Sequence, residues 1–414
     1  MPEPSRPVGL RLLNAIGGGL RWAGVPLLPL REPALLARAA HRTGLTDFGD
    51  DRFREPLRIL VQALETEAAL TTLGRLIARA DLQRTLENRL RFVDAHKTHP
   101  EIAAGAIHRP LFVLGLPRTG TTILHDLLAQ DPSNRVPMTW EVMHPWPPPE
   151  RATFDTDPRI AQVDRHFQGV DKVLPGFKAI HPMGARLPQE CVALTAHDFA
   201  TLMHHTTYHV PSYQSWLERT DMVPVYASHK RQLQYLQWRC PAERWVLKSP
   251  GHLWALEALL AVYPDACIVQ THRDPLKVIA SLTSLISTLR SLASDRSEPH
   301  AIAADWTRRL ADGLEKTMAV RTGGRLGTAQ VFDVHYTEFV GHEVDVIHRL
   351  YAHFGLPFTA QAEAAMRRFL AAHPKDKHGT HRYRLADAGL DPVEERRRYA
   401  AYMHHFGVTT EADP

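Results

Sequence analysis

The sequence has few cysteines, and their spacing argues against two cysteine-based architectures. Three occur in 414 residues, Cys191, Cys240 and Cys267, and no two of them form a CxxC pair. A disulfide framework or a zinc ribbon needs more numerous or more closely spaced cysteines. This usage is typical of a reducing compartment, and we predict a cytoplasmic protein.

The sequence also lacks a long uncharged apolar run and a strong net charge. No run reaches the ~18 residues that a transmembrane helix needs. The apolar segment 8–30 is interrupted by Arg11 and Arg21 and shows no convincing cleavage site, so we do not interpret it as a signal peptide. We expect this segment to pack on its own domain, with peripheral membrane contact as the alternative. The net charge of +4 gives no reason to expect nucleic-acid binding.

One segment predicts a phosphate-binding loop but lacks the lysine that such a loop usually contains. Residues 111–114 are an apolar run typical of a buried strand, and apolar residues recur at helical spacing from position 123. Between them, Gly115, Gly120 and Thr122 match the GxxxxGK[ST] pattern, but Thr121 replaces its lysine. The loop N–H groups and the helix N-terminus still favour an anion. The pattern therefore disfavours ATP or GTP hydrolysis and predicts anion binding, with Arg118 able to supply the missing charge.

Strands alternating with helices after this loop predict an α/β fold with a central parallel sheet. The predicted strands are 111–114, 245–248, 266–272 and 330–335, and the predicted helices among and after them are 252–262, 275–289, 342–354 and 392–403. We predict a helical N-terminal subdomain over 1–109 and an α/β domain over 110–414. Within the latter, residues 151–240 are predicted to be a helical insertion that covers an acceptor site.

A second anion site is suggested by Arg273 and Ser281. Arg273 follows a predicted strand, and Ser281 lies about two helical turns further on. Both side chains can face the same edge of the sheet, where a guanidinium and a hydroxyl suit a second phosphate. The alternative is an arginine at a strand end and a solvent-facing serine.

These segments together resemble a known enzyme family. LPRTGTT (116–122) and QTHRDPLKVIASL (270–282) resemble the two nucleotide-binding elements of sulfotransferases that use 3′-phosphoadenosine 5′-phosphosulfate (PAPS). LKSPGH (247–252) matches their lysine-containing segment after a core strand. Matches at 47–57 and 379–390 indicate the mostly bacterial branch related to tyrosylprotein sulfotransferases.

The resemblance implies a P-loop NTPase-like three-layer fold and a transferase. The enzyme would move the sulfuryl group of PAPS to an acceptor hydroxyl by in-line transfer and release adenosine 3′,5′-bisphosphate. A sulfuryl group carries less charge than a phosphoryl group, so fixed donors can suffice and no metal is expected. No Walker-B pattern of four apolar residues and an acid follows the loop.

The resemblance also implies roles for particular residues. Those implied to hold the 5′-phosphosulfate are Arg118, Thr119, Gly120, Thr121 and Thr122. Arg273 and Ser281 would hold the 3′-phosphate, and Lys248 would stabilise charge on the leaving oxygen. Those that resemble a late basic loop closing over the nucleotide are Lys377, His378, Gly379 and Arg382, for which solvated surface charge is the alternative.

Two residues are candidates for the base that removes the acceptor proton. Glu141 lies close to where the tyrosylprotein branch places its catalytic glutamate, and burial beside Trp140 could raise its pKa. His252 resembles in position the catalytic histidine of cytosolic sulfotransferases, two residues out of register. We rank Glu141 first and His252 second. Glu190 is interpreted as a structural ion-pair partner or a residue that positions the acceptor.

The acceptor is not identified by the sequence. Prolines and tryptophans over 140–149 suggest an apolar pocket wall and a small-molecule acceptor, with a carbohydrate or a peptide as alternatives. Two rival functions also stay open. One is a P-loop small-molecule or nucleotide kinase, and the other is a non-catalytic nucleotide-binding member of the fold.

Overall fold

A parallel β-sheet forms the centre of the molecule. The structure, a computed structural model, describes residues 8–23, 27–173, 183–296, 298–373 and 388–411. Within these ranges the strands are β1 (Leu111–Gly115), β2 (Asn134–Arg135), β3 (Arg244–Lys248), β4 (Cys267–His272) and β5 (Val331–His335). They are all parallel and lie in the order β2-β3-β1-β4-β5. The loop-bearing strand β1 is therefore central, between β3 and β4.

The helices are distributed before, between and after these strands. Those before β1 are α1 (Val8–Trp22), α2 (Glu32–Thr43), α3 (Arg54–Thr66) and α4 (Thr72–Thr98). Those between β1 and β3 are α5 (Thr121–Leu128), α6 (Thr139–Met143), α7 (Pro158–Val173), α8 (Cys191–Thr195), α9 (Met203–Thr207), α10 (Pro211–Leu217) and α11 (Val223–Gln237). Those after β3 are α12 (Leu256–Val262), α13 (Pro275–Ser291), α14 (Pro299–Thr322), α15 (Tyr336–Phe339), α16 (Glu343–Phe354), α17 (Ala360–Ala372) and α18 (Pro392–Phe406). No helix of the described residues is both long and apolar enough to cross a membrane.

Alternate residues of β1 enter two different apolar layers. Phe112 and Leu114 are fully buried in a cluster on one face of the sheet, whereas Leu111 and Val113 are buried in the cluster on the other face. A parallel sheet covered on both faces explains why this strand is a continuous apolar run. The result is a three-layer arrangement in which the carboxyl ends of the strands share one edge.

The N-terminal helices form their own apolar cluster, which the rest of the chain helps to close. Leucines of α3 and α4 pack there against Phe199 and Tyr213, which belong to the region between β1 and β3. Residues from both predicted parts of the chain, 1–109 and 110–414, thus contribute to one apolar cluster. The predicted boundary between these parts stays a prediction.

The structure differs from the sequence-based expectation in three places. The helix predicted over 252–262 is split into a 3₁₀ turn, Pro250–Trp254, and α12. Here Ser249 Oγ accepts from the Gly251 N–H at 3.0 Å, and this bond closes a tight turn before the α-helix begins. The long helix α14 was not predicted. The short strand β2, which pairs with β3, was not predicted either.

Candidate active site

The loop between β1 and α5 is shaped by backbone conformations that favour glycine. Gly115 has a φ of 147°, and a Cβ there would lie 2.1 Å from Thr271 Oγ1 on β4. Gly120, at φ 87°, precedes the first residue of α5. Arg118 adopts φ 66°, a region that non-glycine residues rarely occupy and that is often found at functional sites. The chain therefore passes close to β4 and turns sharply into the helix.

A buried threonine fixes this loop in place. Thr119 is fully buried; its Oγ1 lies 2.6 Å from the Leu116 carbonyl oxygen, to which it can donate, and 2.5 Å from Thr271 Oγ1. Thr121 and Thr122 begin α5, whose first turn carries no acidic residue and no side-chain cap. The helix N-terminus is thus presented towards the loop, and its partial positive charge favours an anion.

Lys248 is brought to this loop by the neighbouring strand. The register of β1 and β3 pairs Lys248 with Val113, two residues before the end of β1. Its Nζ donates to Thr122 Oγ1 at 3.4 Å and to Glu190 Oε1 at 2.5 Å. The side chain is only 4% exposed, so its charge acts in a poorly screened setting. Lys248 therefore brings a positive charge to a loop that has Thr121 where the GxxxxGK[ST] pattern has its lysine.

Arg273 and Ser281 lie at the other side of the loop. Arg273 follows β4 and donates from Nη1 to the Arg118 carbonyl oxygen at 2.8 Å. Ser281, on α13, accepts from Arg118 Nε at 3.0 Å. The Arg273 guanidinium also lies 3.7 Å from the centre of the Tyr336 ring, over its face. The two predicted anion-binding elements are therefore adjacent, and Arg118 touches both.

This arrangement agrees with the comparisons to known proteins. The sequence profile described as the sulfotransferase family matches residues 110–360, more than half of the chain. The chain belongs to the sulfotransferase family. It is therefore an enzyme that transfers a sulfuryl group.

The similarity to solved sulfotransferases extends over nearly the whole chain. Sulfotransferase STF1 from Mycobacterium tuberculosis H37Rv is 37% identical, with a TM-score of 0.80, and the match covers 90% of this chain and 99% of that one. Sulfotransferase STF9 from Mycobacterium avium is 32% identical, with a TM-score of 0.85 and coverages of 92% and 98%. The predicted P-loop NTPase-like three-layer fold is thereby confirmed.

The name of a more distant relative specifies its acceptor. The omega-hydroxy-beta-dihydromenaquinone-9 sulfotransferase Stf3 of Mycobacterium bovis is 25% identical over 325 residues, which are 72% of this chain and 73% of that protein. Its name describes an acceptor derived from menaquinone.

Glu141 of this sulfotransferase lies in a fully buried ion pair. Oε2 accepts from Arg135 Nη2 at 2.8 Å, and Oε1 accepts from the Met138 N–H at 2.9 Å. Burial raises the pKa of Glu141, and Arg135 opposes that rise. Both carboxylate oxygens are thus engaged at the start of α6, and its predicted role as a base stays a prediction.

His252 lines a small cleft, about 70 Å³ in volume, beyond the end of β3. Its Nδ1 lies 2.6 Å from the hydroxyl of Tyr226, and its ring stands edge-on to Phe112 at 5.2 Å between centroids. Its Nε2 is buried and has no hydrogen-bond partner among the described residues. Burial lowers the pKa of His252 well below its usual value, so the ring is neutral at physiological pH. The cleft wall also includes Cys191 and Met222.

Three further residues at the site were not singled out, or were given a minor role, by the sequence. Glu190 contacts Lys248, as described above. Asp126 lies one turn along α5 from Thr122, and burial raises its pKa to about 6, against the attraction of Lys248. Glu411 binds Arg273 from 138 residues away. Asp126 could have been noticed in the sequence, because it is an acidic residue four positions after Thr122. Nothing near Glu411 in the sequence marks it as a partner of Arg273.

The structure does not describe the residues that match the late basic loop. Lys377, Gly379 and Arg382 lie outside the described residues. Two histidines of the predicted helical insertion, His205 and His209, lie four residues apart, but no cluster of three or more potential metal ligands occurs among the described residues. His205 Nε2 instead lies 2.9 Å from Asp305 Oδ2.

Proposed function

We propose that this sulfotransferase takes the sulfuryl group from PAPS and passes it to the hydroxyl of a small, apolar acceptor. The observation that carries the proposal is the adjacency of two anion-binding elements, the loop ending in Thr122 and the Arg273–Ser281 pair, with Lys248 beside the first. PAPS carries a 5′-phosphosulfate and a 3′-phosphate, and so matches two such elements. A nucleoside triphosphate has no 3′-phosphate for Arg273 to bind.

The loop would hold the phosphosulfate through backbone N–H groups and hydroxyls. The residues in this role are Arg118, Thr119, Gly120, Thr121 and Thr122. Arg273 and Ser281 would hold the 3′-phosphate, for which a planar guanidinium with several donors is well suited. Lys377, Gly379 and Arg382 are proposed to close over the nucleotide.

Transfer would proceed in line. The acceptor oxygen forms a bond to sulfur while the bond from sulfur to the bridging phosphate oxygen breaks, and the electron pair stays on the 5′-phosphate. Lys248 Nζ, 3.4 Å from Thr122 Oγ1, would stabilise the charge that develops on that leaving oxygen. This role needs Lys248 to exchange its contact with Glu190 for one with the donor.

The acceptor proton must move to a base. Glu141 and His252 are the candidates, and the geometry favours His252. Its Nε2 is buried without a hydrogen-bond partner among the described residues, and it would accept the proton once the acceptor reaches it, whereas both oxygens of Glu141 already accept hydrogen bonds. A placed base contributes about 10²–10⁴-fold to such a step.

The nature of the acceptor is proposed from the cleft and from a relative. Val192, Leu202, Leu217 and Met222 give the cleft apolar walls, and His252 lies in the same lining. The relative named for a menaquinone-derived acceptor acts on an apolar molecule of this kind. We also propose a cytoplasmic location, which the three free, buried cysteines support.

The test is direct. The protein is incubated with ³⁵S-labelled PAPS and lipid extracts of its host, and the labelled product is identified. We expect label in a hydroxylated apolar compound and a rise in melting temperature with adenosine 3′,5′-bisphosphate. Stabilisation by ATP with Mg²⁺ but not by the bisphosphate would overturn the proposal in favour of a kinase. Nucleotide binding without label in any acceptor would favour a non-catalytic protein.

A further inference from the structure

Helix α1 carries an apolar stripe that the described protein leaves uncovered. Val8, Leu12, Ile16 and Leu20 recur every four residues and so lie along one side of the helix. Leu12 is 60% exposed and Ile16 is 56% exposed. Trp22, at the end of the helix, is 92% exposed. Apolar residues at this spacing on a surface helix normally face the core, so their exposure needs an explanation.

The opposite side of α1 is fixed to the protein. Asn14 is buried, and its Oδ1 accepts from the Leu73 N–H at 3.1 Å, at the start of α4. Gly17 packs so closely that a Cβ there would lie 1.8 Å from Thr72 Oγ1. The helix therefore cannot turn its apolar stripe inward without losing these contacts. One exposed leucine of α4, Leu76, lies one turn beyond Leu73.

The charge around this stripe has one dominant sign. Residues 8–43 contain five arginines and one acidic residue, Glu32, and α1 itself has no acidic residue. Glu32 is already paired with Arg54 and Arg58 of α3. Arg42 is paired with Glu87 of α4, whereas Arg11 of α1 and Arg38 of α2 belong to two helices that both pack on α4. Such a surface is complementary to an anionic one.

We propose that α1 docks this sulfotransferase on the surface of a bilayer that contains anionic phospholipid. The apolar stripe enters the interface, Trp22 lies at the level of the headgroups, and Arg11 faces the lipid phosphates. A second copy of the chain fits less well, because it would bring a second positive surface against the first. The docking proposal does not depend on the identity of the donor or of the acceptor. Docking would place an enzyme that acts on apolar acceptors at the bilayer in which such molecules dissolve.

The experiment uses the full chain and co-sedimentation with vesicles. Vesicles of phosphatidylcholine alone are compared with vesicles of phosphatidylcholine mixed with phosphatidylglycerol. The wild-type protein should sediment with the mixed vesicles. The double variant Leu12→Gln/Ile16→Gln should sediment at least about tenfold less. Val393→Gln is the control, since Val393 is exposed on α18, away from the stripe, and this variant should behave as the wild type.

Three results would overturn the proposal. One is equal sedimentation of the wild-type protein and the double variant. Another is equal binding to both vesicle types. The third is a dimer, seen by light scattering without vesicles, that the double variant disrupts, because the stripe would then be covered by a second copy. The melting temperature of the double variant should match the wild type, since the replaced side chains are exposed. No readout involves PAPS, so failure of docking and failure of the proposed function are distinguishable.

Discussion

The guanidinium of Arg273 forms a bidentate ion pair with the carboxylate of Glu411. Arg273 Nε donates to one Glu411 oxygen at 2.8 Å, and Nη2 donates to the other at 2.9 Å. The backbone N–H of Glu411 in turn donates to Asp274 Oδ2 at 3.0 Å. A carboxylate therefore occupies the fork of the arginine that is proposed to bind the 3′-phosphate.

Removing this carboxylate should tighten nucleotide binding. In Glu411→Gln the 3′-phosphate no longer has to displace an ion pair, so the Kd for adenosine 3′,5′-bisphosphate should fall by about 3- to 10-fold. Isothermal titration calorimetry measures the change, and Glu394→Gln, an exposed acid on α18, serves as the matched control. Weaker binding by Glu411→Gln would instead mean that Glu411 holds Arg273 ready for the nucleotide.

Arg273 should determine selectivity for the 3′-phosphate. Lysine cannot reproduce the forked hydrogen bonds or the stacking on Tyr336, so Arg273→Lys should weaken binding of adenosine 3′,5′-bisphosphate by about 10- to 100-fold. Binding of adenosine 5′-monophosphate, which lacks the 3′-phosphate, should hardly change. Comparing the two Kd values checks this, with the exposed Arg325→Lys as control. An equal loss for both nucleotides would place the effect outside the 3′-phosphate.

Glu141 and His252 should respond differently to substitution. Glu141→Gln leaves Arg135 charged and buried without its counter-ion, which should lower the free energy of unfolding by about 3–5 kcal/mol. His252→Gln should lower kcat by about 10²–10⁴-fold, because the proposed base is removed. Chemical denaturation and initial rates with labelled PAPS measure the two effects. A stable but slow Glu141→Gln enzyme, together with an active His252→Gln enzyme, would restore Glu141 as the base.

Asp126 should make stability fall as the pH rises through the acidic range. Its folded-state pKa, about 6, lies above its ordinary value of 3.8. Between these values the unfolded chain has lost the proton that the folded protein keeps, so stability decreases with rising pH and the loss is complete above about pH 6. Asp126→Asn should therefore raise the free energy of unfolding at pH 7 by about 2–4 kcal/mol.

The same variant should flatten the pH dependence of unfolding between about pH 4 and 6. Urea denaturation across that range checks this, and the exposed Asp312→Asn should change stability by less than about 0.5 kcal/mol. A destabilised Asp126→Asn protein would show that the charged carboxylate contributes favourably through Lys248.

Local signals in the sequence were sufficient for the central strands and for the phosphate-binding loop. The strand that ends at Gly115 is an apolar run because both faces of the sheet are covered, and the glycines follow from the backbone angles of the turn. Arg273 and Ser281 could be assigned to one anion site, because a helix sets the distance between them. Each of these inferences depends on neighbours in the chain.

What the sequence did not predict depends on contacts between distant residues. Glu411 reaches Arg273 across 138 positions, and no local pattern marks it as a partner. The engagement of Glu141 by Arg135 could not be read from spacing, because it requires the chain to bury both side chains at the start of α6. The turn before α12 replaced the predicted start of that helix because the Ser249 hydroxyl competes for a backbone N–H.

The central position of β1 also has a consequence for folding. The loop that follows it becomes a site only when β3 and β4 have paired on either side, and the contacts that join them span 126 and 155 positions of chain. Pairings of such long range are slow to form, because the entropy of loop closure is lost before the contacts compensate for it. A partly folded chain with an unpaired β3 or β4 would have the loop sequence but no nucleotide site. Bound nucleotide would consequently select the completed sheet, and the ligand would act as a stabiliser of the whole fold.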